Sequence, residues 1–160
     1  MDERQTNLSS PRIVRSDALL IVGLKKRYND ATSAEIPAHW RAFQPHIGNI
    51  EKQKGNVAFG VICNNDDDGN FDYVTGVEVS QFSNVAKELE GIRVLPQTYA
   101  AFRHDGHVSE IKQTWTAIFG KWLPGADCPI VDAPKIERYG DSFNPQTGYG
   151  DIEIWIPIKR

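Results

Sequence analysis

The chain has 160 residues, near the usual size of one domain, long enough to bury a sizeable core and too short for two. Hydrophobic residues at 40% and charged residues at 24% exclude a disordered chain, and a net charge of -3 gives no basic footprint for gripping phosphates, so no direct nucleic-acid partner is expected. No apolar run approaches the roughly 18 to 20 residues of a membrane span, and MDERQTNLSSPR has no signal-peptide core, so a cytoplasmic protein with Cys63 and Cys128 as free thiols is expected.

Residues 1–10 are polar and expected to be flexible, leaving 11–160 as a single domain. The first ordered element is expected from Arg12 to Tyr28, where the apolar stretch Ala18–Leu24 ends in Lys25, Lys26 and Arg27. Thr32 stands three residues before Glu35, the pattern of a capping box, and Ile36, Trp40, Phe43 and Ile47 follow at helical spacing. Pro37 is tolerable in the first turn of that helix, and Pro45 predicts its end near Phe43. Two β-rich runs, Asn56–Cys63 and Phe71–Ser80, flank the polar turn Asn64–Asn70 and predict a hairpin.

A second round follows the polar segment Asn84–Gly91. A strand is expected over Ile92–Arg103. Then comes the strongest helix, in which Val108, Ile111, Trp115, Ile118, Phe119, Trp122 and Leu123 form one apolar face until Pro124-Gly125 stops it. Two strands close the chain, Lys135–Tyr139 and Asp151–Lys159, the latter alternating Ile152, Ile154, Ile156 and Ile158 with Glu153, Trp155 and Pro157. The order repeats over halves of about 11–83 and 92–160, with Trp40 and Trp115 in comparable helical positions. The expected fold is therefore α+β. It is a duplicated strand-helix-strand-strand unit with pseudo-twofold symmetry, an antiparallel sheet, two main helices and a ligand cleft at the seam.

The segment NNDDDGNFD at Asn64–Asp72 superficially resembles a calcium loop, but Thr75 stands where an EF-hand needs its bidentate Glu and the flanks read as strands. A solvated acidic hairpin turn is the expectation. His39, His46, His104 and His107 lack a third ligand in register, so no metal and no cofactor are expected. No nucleophile elbow or phosphate-cradling glycine loop is present, and no catalytic residues are assigned. What stands out is a pair of strand glutamates, Glu137 two residues before Tyr139 and Glu153 two residues before Trp155. Period-two geometry places each glutamate and its aromatic on one sheet face. A carboxylate beside aromatic faces suits an organic cation, whereas the ordinary role of a strand glutamate is an ion pair, here with Lys135, Arg138 or Arg103. The ordinary role is slightly favoured for Glu153 and the cation-binding role for Glu137.

The motifs YAAFRHDGHVSEIKQTW at Tyr99–Trp115, WLP at Trp122–Pro124, IERY at Ile136–Tyr139 and GDIEIWIPI at Gly150–Ile158 act together as a signature. Weaker matches are PRIV at Pro11–Val14, WRAF at Trp40–Phe43 and DYVTGVEV at Asp72–Val79. On these, nearly the whole chain resembles the gyrase-inhibitor-like small-molecule-binding family, which also forms the effector-binding domain of AraC-type and MerR-type multidrug regulators. The resemblance implies a duplicated strand-helix-strand-strand fold and an acidic residue in an aromatic pocket that receives lipophilic cations. It maps the acid onto Glu137, with Glu153 as second choice, and the walls onto Tyr139, Tyr73, Tyr99, Phe102, Phe143 and Trp155. The sequence carries no helix-turn-helix beside the pocket, so transcriptional control in cis is not expected, and the stand-alone format is similar to a mobile-cassette cationic drug-binding module.

The leading expectation is binding of an amphipathic, cationic small molecule. Two alternatives stay open. Some stand-alone members of the family resemble hydrolases that open strained rings of alkylating natural products, and Glu137 or Glu153 with Tyr139 or Tyr99 has the residue types for water activation and proton donation. The family's gyrase-inhibiting name implies a protein-interaction module, for which a net charge of -3 makes a poor DNA mimic. The ligand's identity, the oligomeric state and an unlinked protein partner are not fixed by the residues.

Overall fold

The computed structural model describes residues 8–160; the flexible terminus expected over residues 1–10 lies outside the described residues for its first seven positions. The first apolar run folds as two strands rather than one, β1 (Arg12–Ser16) and β2 (Leu19–Tyr28), parted at Asp17-Ala18. The strand expected at Ile92–Arg103 likewise divides into β5 (Glu90–Val94) and β6 (Gln97–Arg103), where Pro96 lacks the donor needed to continue a ladder. The expected hairpin forms from β3 (Gln53–Cys63) and β4 (Phe71–Val79), and β7 (Lys135–Tyr139) and β8 (Ile152–Pro157) complete the sheet.

The capping box does not form. Thr32 Oγ1 accepts the Asn29 N–H at 2.9 Å, and Asn29 Oδ1 accepts the N–H groups of Ala31 and Thr32, so a local side-chain turn takes the hydroxyl that the helix would have used. The chain instead enters α1 (Ile36–Phe43) through a 3-10 turn at Ser33–Glu35, with Pro37 in the first helical turn and Pro45 in a 3-10 turn beyond the end. The second helical run is composite: a 3-10 turn at Val108–Glu110, α2 (Ile111–Ala117), a π segment at Ile118–Trp122 and a closing 3-10 turn at Leu123–Gly125. Among the described residues no helix is long and apolar enough to cross a membrane.

All strand pairs are antiparallel, in the order β1-β6-β8-β7-β3-β4-β2-β5. That order is a palindrome about the β7–β3 pair once β1 is equated with β5, β2 with β6, β3 with β7 and β4 with β8. Each half is therefore strand-strand-helix-strand-strand, one strand longer than the unit read from sequence. The first strand of each half joins the sheet of the other half, β1 on β6 and β5 on β2. This exchange ties the halves together through main-chain hydrogen bonds at both edges as well as at the centre.

The sheet curls. Ile21, Val94, Tyr99 and Trp155, drawn from both ends of the strand order, pack with Val61, Val74 and Ile136 in one cluster on one face. The other face carries the helices. Ile118 and Trp115 from the second helical run cover Ile154, Ile156, Ala100 and Phe102, while Phe43 of α1 covers Val22, Val77 and Val79. Between these two helix-covered clusters lies the seam, over β7 and β3.

Candidate ligand-binding site

Strand β7 alternates across the sheet, so Ile136 enters the curled core and Glu137 projects with Tyr139 to the helix face. Burial of Glu137 is nearly complete, at 6% exposure. Its carboxylate is met by three donors: Tyr73 Oη at 2.6 Å and Tyr139 Oη at 3.0 Å on Oε1, and Trp115 Nε1 at 2.8 Å on Oε2. Trp40 Nε1 donates at 3.0 Å to the Tyr73 hydroxyl, which in turn donates to the carboxylate. The Trp40 ring meets Tyr139 edge-on at 5.0 Å between centroids, and Phe143 also meets Tyr139 edge-on at 5.1 Å. Space for this arrangement comes from Gly60, the strand partner of Glu137: a Cβ there would stand 2.3 Å from Tyr73 Oη and 3.1 Å from Glu137 Oε1.

Burial is the largest influence on Glu137 and pushes its carboxyl above the usual carboxylate range. The bonds from Tyr73, Trp115 and Tyr139 pull the other way without cancelling it, with a weaker pull from His104. Both phenols are raised well above their ordinary value by burial and by the neighbouring carboxylate, so they remain donors. Behind them, His39 Nε2 donates to the Leu24 carbonyl at 2.6 Å and Nδ1 accepts from Tyr28 Oη at 2.8 Å. This neutral form agrees with the lowering that burial imposes on His39.

The register Glu137↔Ile154 puts Ile154 on the face of Glu137 and turns Glu153 and Trp155 to the opposite one. Glu153, Trp155 and Tyr99 therefore do not share a pocket with Glu137, contrary to the single aromatic site expected from sequence. Tyr99 and Trp155 pack together inside the curled sheet with centroids 5.3 Å apart. Glu153 is held by Arg12, through Nε at 3.0 Å and Nη2 at 2.7 Å, and also meets Arg138 and the Trp155 indole. Its ion pair is the ordinary one for a strand glutamate, with Arg12 as the main partner in place of Lys135 or Arg103. Phe102 is on the helix face but beneath the second helical run, edge-on to Trp122 at 4.8 Å. Of the eight residues drawn from the sequence, Glu137, Tyr139, Tyr73 and Phe143 come together and the other four do not.

In the acidic turn, Asp66 Oδ1 accepts the N–H groups of Asp68 and Asn70, and Arg27 bridges Asp66 and Asp72. Asp66 is thus bonded to the turn's own backbone, and Asp66 and Asp72 share one guanidinium.

Residues 9–159 match the family model described as GyrI-like small molecule binding domain. The chain belongs to this family. A curated relative, Transcriptional regulator BrlR of Pseudomonas aeruginosa, is 29% identical over 149 residues, covering 92% of this chain and 54% of that one. The chain thus spans about half the length of that relative. Two solved structures share the GyrI-like fold. SAV2435 bound to tetraphenylphosphonium superposes with a TM-score of 0.73 at 22% identity, covering 94% of each chain. An integron cassette protein from the mobile metagenome of Vibrio cholerae superposes at 0.68 and 15% identity, covering 95% of this chain and 97% of that one. The α+β architecture of the chain is that of its GyrI-like neighbours.

Sequence reasoning left Trp40 and Trp115 out of the site of this GyrI-like domain. Each is the fifth residue of its helix, in IPAHW and IKQTW, and each sends an indole N–H into the seam from its own half. The equivalence of their positions was readable; that both helices aim at one carboxylate was not. The seam is filled by these side chains. Cavities of about 260 and 130 Å³ lie elsewhere, one beside Arg103 and Asp151 and the other beside His46 and Leu89.

Proposed function

We propose that this GyrI-like domain binds lipophilic cations at the seam, with Glu137 as the counter-charge and Trp40, Trp115, Tyr73, Tyr139 and Phe143 as the walls. The observation that carries this reading is a buried carboxylate, Glu137, with no cationic partner among the described residues and ringed by aromatic side chains from both halves. A buried carboxylate without a counter-charge is costly even when hydrogen-bonded, and an organic cation offsets that cost while its apolar groups pack against the rings. In the closed arrangement the protein's own donors occupy the carboxylate. Entry of a cation displaces the Trp115 indole, the donor that is only half buried and belongs to a helical run interrupted by a π segment directly after α2, a departure from regular helix that recurs at functional sites. Tyr73 and Tyr139 stay on Oε1 and orient the carboxylate toward the ligand. SAV2435, of the same fold, is described bound to a lipophilic cation, tetraphenylphosphonium, which supports the class of ligand.

Tryptophan fluorescence during titration with tetraphenylphosphonium, and separately with the neutral triphenylphosphine oxide, tests the reading. Saturable quenching by the cation alone is expected, because Trp115 and Trp40 line the site. Equal responses to both compounds would remove the role of charge.

A second reading is carried by the two phenols on one carboxylate oxygen. Glu137, made more basic by burial, and Tyr73 or Tyr139, kept protonated, form an acid–base set of the kind that hydrolysis of a strained ring requires. Ring-opened product from a cyclopropane-bearing substrate, abolished by Glu137→Gln, would favour catalysis over simple binding.

A further inference from the structure

Lys135 opens β7 two residues before Glu137, and strand alternation, with Ile136 in the curled core, sets both side chains on the helix face. The second helical run passes above them in step. Ile111 packs on the cluster that holds Tyr139, Trp115 reaches Glu137, and the next four-residue step brings Phe119, stacked on Trp115 with centroids 6.2 Å apart, toward Lys135. Each step is about 6 to 7 Å on helix and strand alike. Exposure grows in the same direction. Tyr139 and Glu137 are buried, whereas Lys135 and its strand partner Ile62 are half-buried and Phe119 is 38% exposed. The seam therefore meets solvent at Lys135, beside the indole that a ligand displaces. Among the described residues Lys135 has no ion-pair or hydrogen-bond partner, and burial pushes its ammonium down from the ordinary value, with Asp132 opposing. An ammonium half-withdrawn from water without a counter-charge is disfavoured as the carboxylate deeper in the seam is. One ligand carrying charges of both signs would satisfy the two together.

We propose that Lys135 is a specificity-determining residue at the mouth of the seam: it receives an anionic group on the ligand while Glu137 receives the cationic one, so the site favours zwitterionic amphiphiles over simple cations. The inference rests on the cation-binding reading of the seam. Two residues on one strand face stand about 7 Å apart, which sets the separation between the ligand's two charges.

A matched pair of probes isolates this contact: (4-carboxybutyl)triphenylphosphonium, whose carboxylate can stand that far from phosphorus, and its methyl ester, a simple cation of nearly the same shape. Calorimetric titration of the full chain at pH 8 is expected to show the zwitterion binding about threefold to fivefold tighter than the ester, the upper part of the range for a partly exposed ion pair. Lys135→Met, which keeps the apolar stem and removes the charge, is expected to abolish or reverse that preference. Lys135→Arg, which keeps the charge, is expected to retain it. Equal or weaker binding of the zwitterion by the native protein, or a preference that survives in Lys135→Met, would overturn the inference while leaving the cation site standing. A preference lost in Lys135→Arg as well would trace it to shape rather than charge and would overturn the inference too. Binding of neither probe by the native protein would defeat the underlying reading and the inference with it.

Discussion

Glu137 and Gly60 face each other as the middle pair of the ladder that joins β7 to β3. That ladder is the centre of the palindromic sheet, so the pair straddles the pseudo-twofold relation between the halves. Duplication alone would place similar side chains at two such positions. Here one carries a buried acid and the other carries nothing, and the asymmetry is what makes room for a single carboxylate, the Tyr73 hydroxyl beside it and indoles arriving from both helices.

Gly60→Ala is expected to destabilise the fold by about 1 to 3 kcal/mol, the usual cost of forcing an extra methyl group into a packed interior. The added Cβ would stand 2.3 Å from the Tyr73 hydroxyl, and Tyr73, at 1% exposure, has no room to withdraw. Urea unfolding of the variant measures the loss; unchanged stability would mean that the contact between Tyr73 and Glu137 is loosely held.

Trp115→Phe separates the indole donor from the ring. Loss of the 2.8 Å bond to Glu137 is expected to lower stability by about 1.5 to 3 kcal/mol, the range for a hydrogen bond to a charged group. Tetraphenylphosphonium affinity at pH 8 is expected to rise, because the ligand no longer competes with a resident donor. A fall in affinity would show that the indole N–H is needed in the bound state rather than displaced from it.

Arg12→Ala tests the division of the two glutamates between faces. Removing both guanidinium bonds to Glu153 frees edge strand β1 and is expected to cost about 1 to 2 kcal/mol, below the value for a fully buried pair because Arg12 is half exposed. Binding of tetraphenylphosphonium is expected to be unchanged. The Arg12 bond is the largest of the influences that hold Glu153 below the ordinary carboxyl range against its burial. A lowered folded-state value contributes stability above the unfolded value and loses it as pH falls, so the gap between native and variant proteins is expected to shrink in acid.

For Glu137 the sign is reversed. Its folded value is raised, burial being the largest cause, so its contribution to stability is complete below the unfolded carboxyl value and is lost as pH rises through the folded value. Urea unfolding between pH 4 and 8 is expected to show the native protein losing ground to Glu137→Gln as pH increases. Cation binding needs the ionised form, and affinity is expected to climb over the same window. Parallel pH profiles for native and variant proteins would contradict both statements.

Much of the fold was legible because periodicity reports burial directly. The alternating isoleucines of β8, the helical spacing from Ile111 to Trp122 and the hairpin around Asn64–Asn70 all appear where the pattern places them. The break at Asp17-Ala18 was not legible, since the strands on both sides share the same apolar character and differ only in which half they join; the break at Leu95-Pro96 had its signal in Pro96, which periodicity alone passes over. The site was half legible for the same reason. Period two puts Glu137 with Tyr139 and Glu153 with Trp155, but whether adjacent strands carry the two pairs to one face depends on register, which only the Glu137↔Ile154 pairing fixes. Trp40 and Trp115 read as core residues of amphipathic helices, and their indole donors become visible only when both helices are set against β7.

The central claim is that Glu137 supplies the charge that holds a lipophilic cation, and calorimetric titration of Glu137→Gln with tetraphenylphosphonium at pH 8 tests it most directly. Loss of a desolvated charge pair predicts a drop in affinity of at least about thirtyfold, with the variant still folded and no longer distinguishing the cation from triphenylphosphine oxide. Retention of native affinity by a folded Glu137→Gln would contradict the account, and would place the cation away from the seam between the two helices.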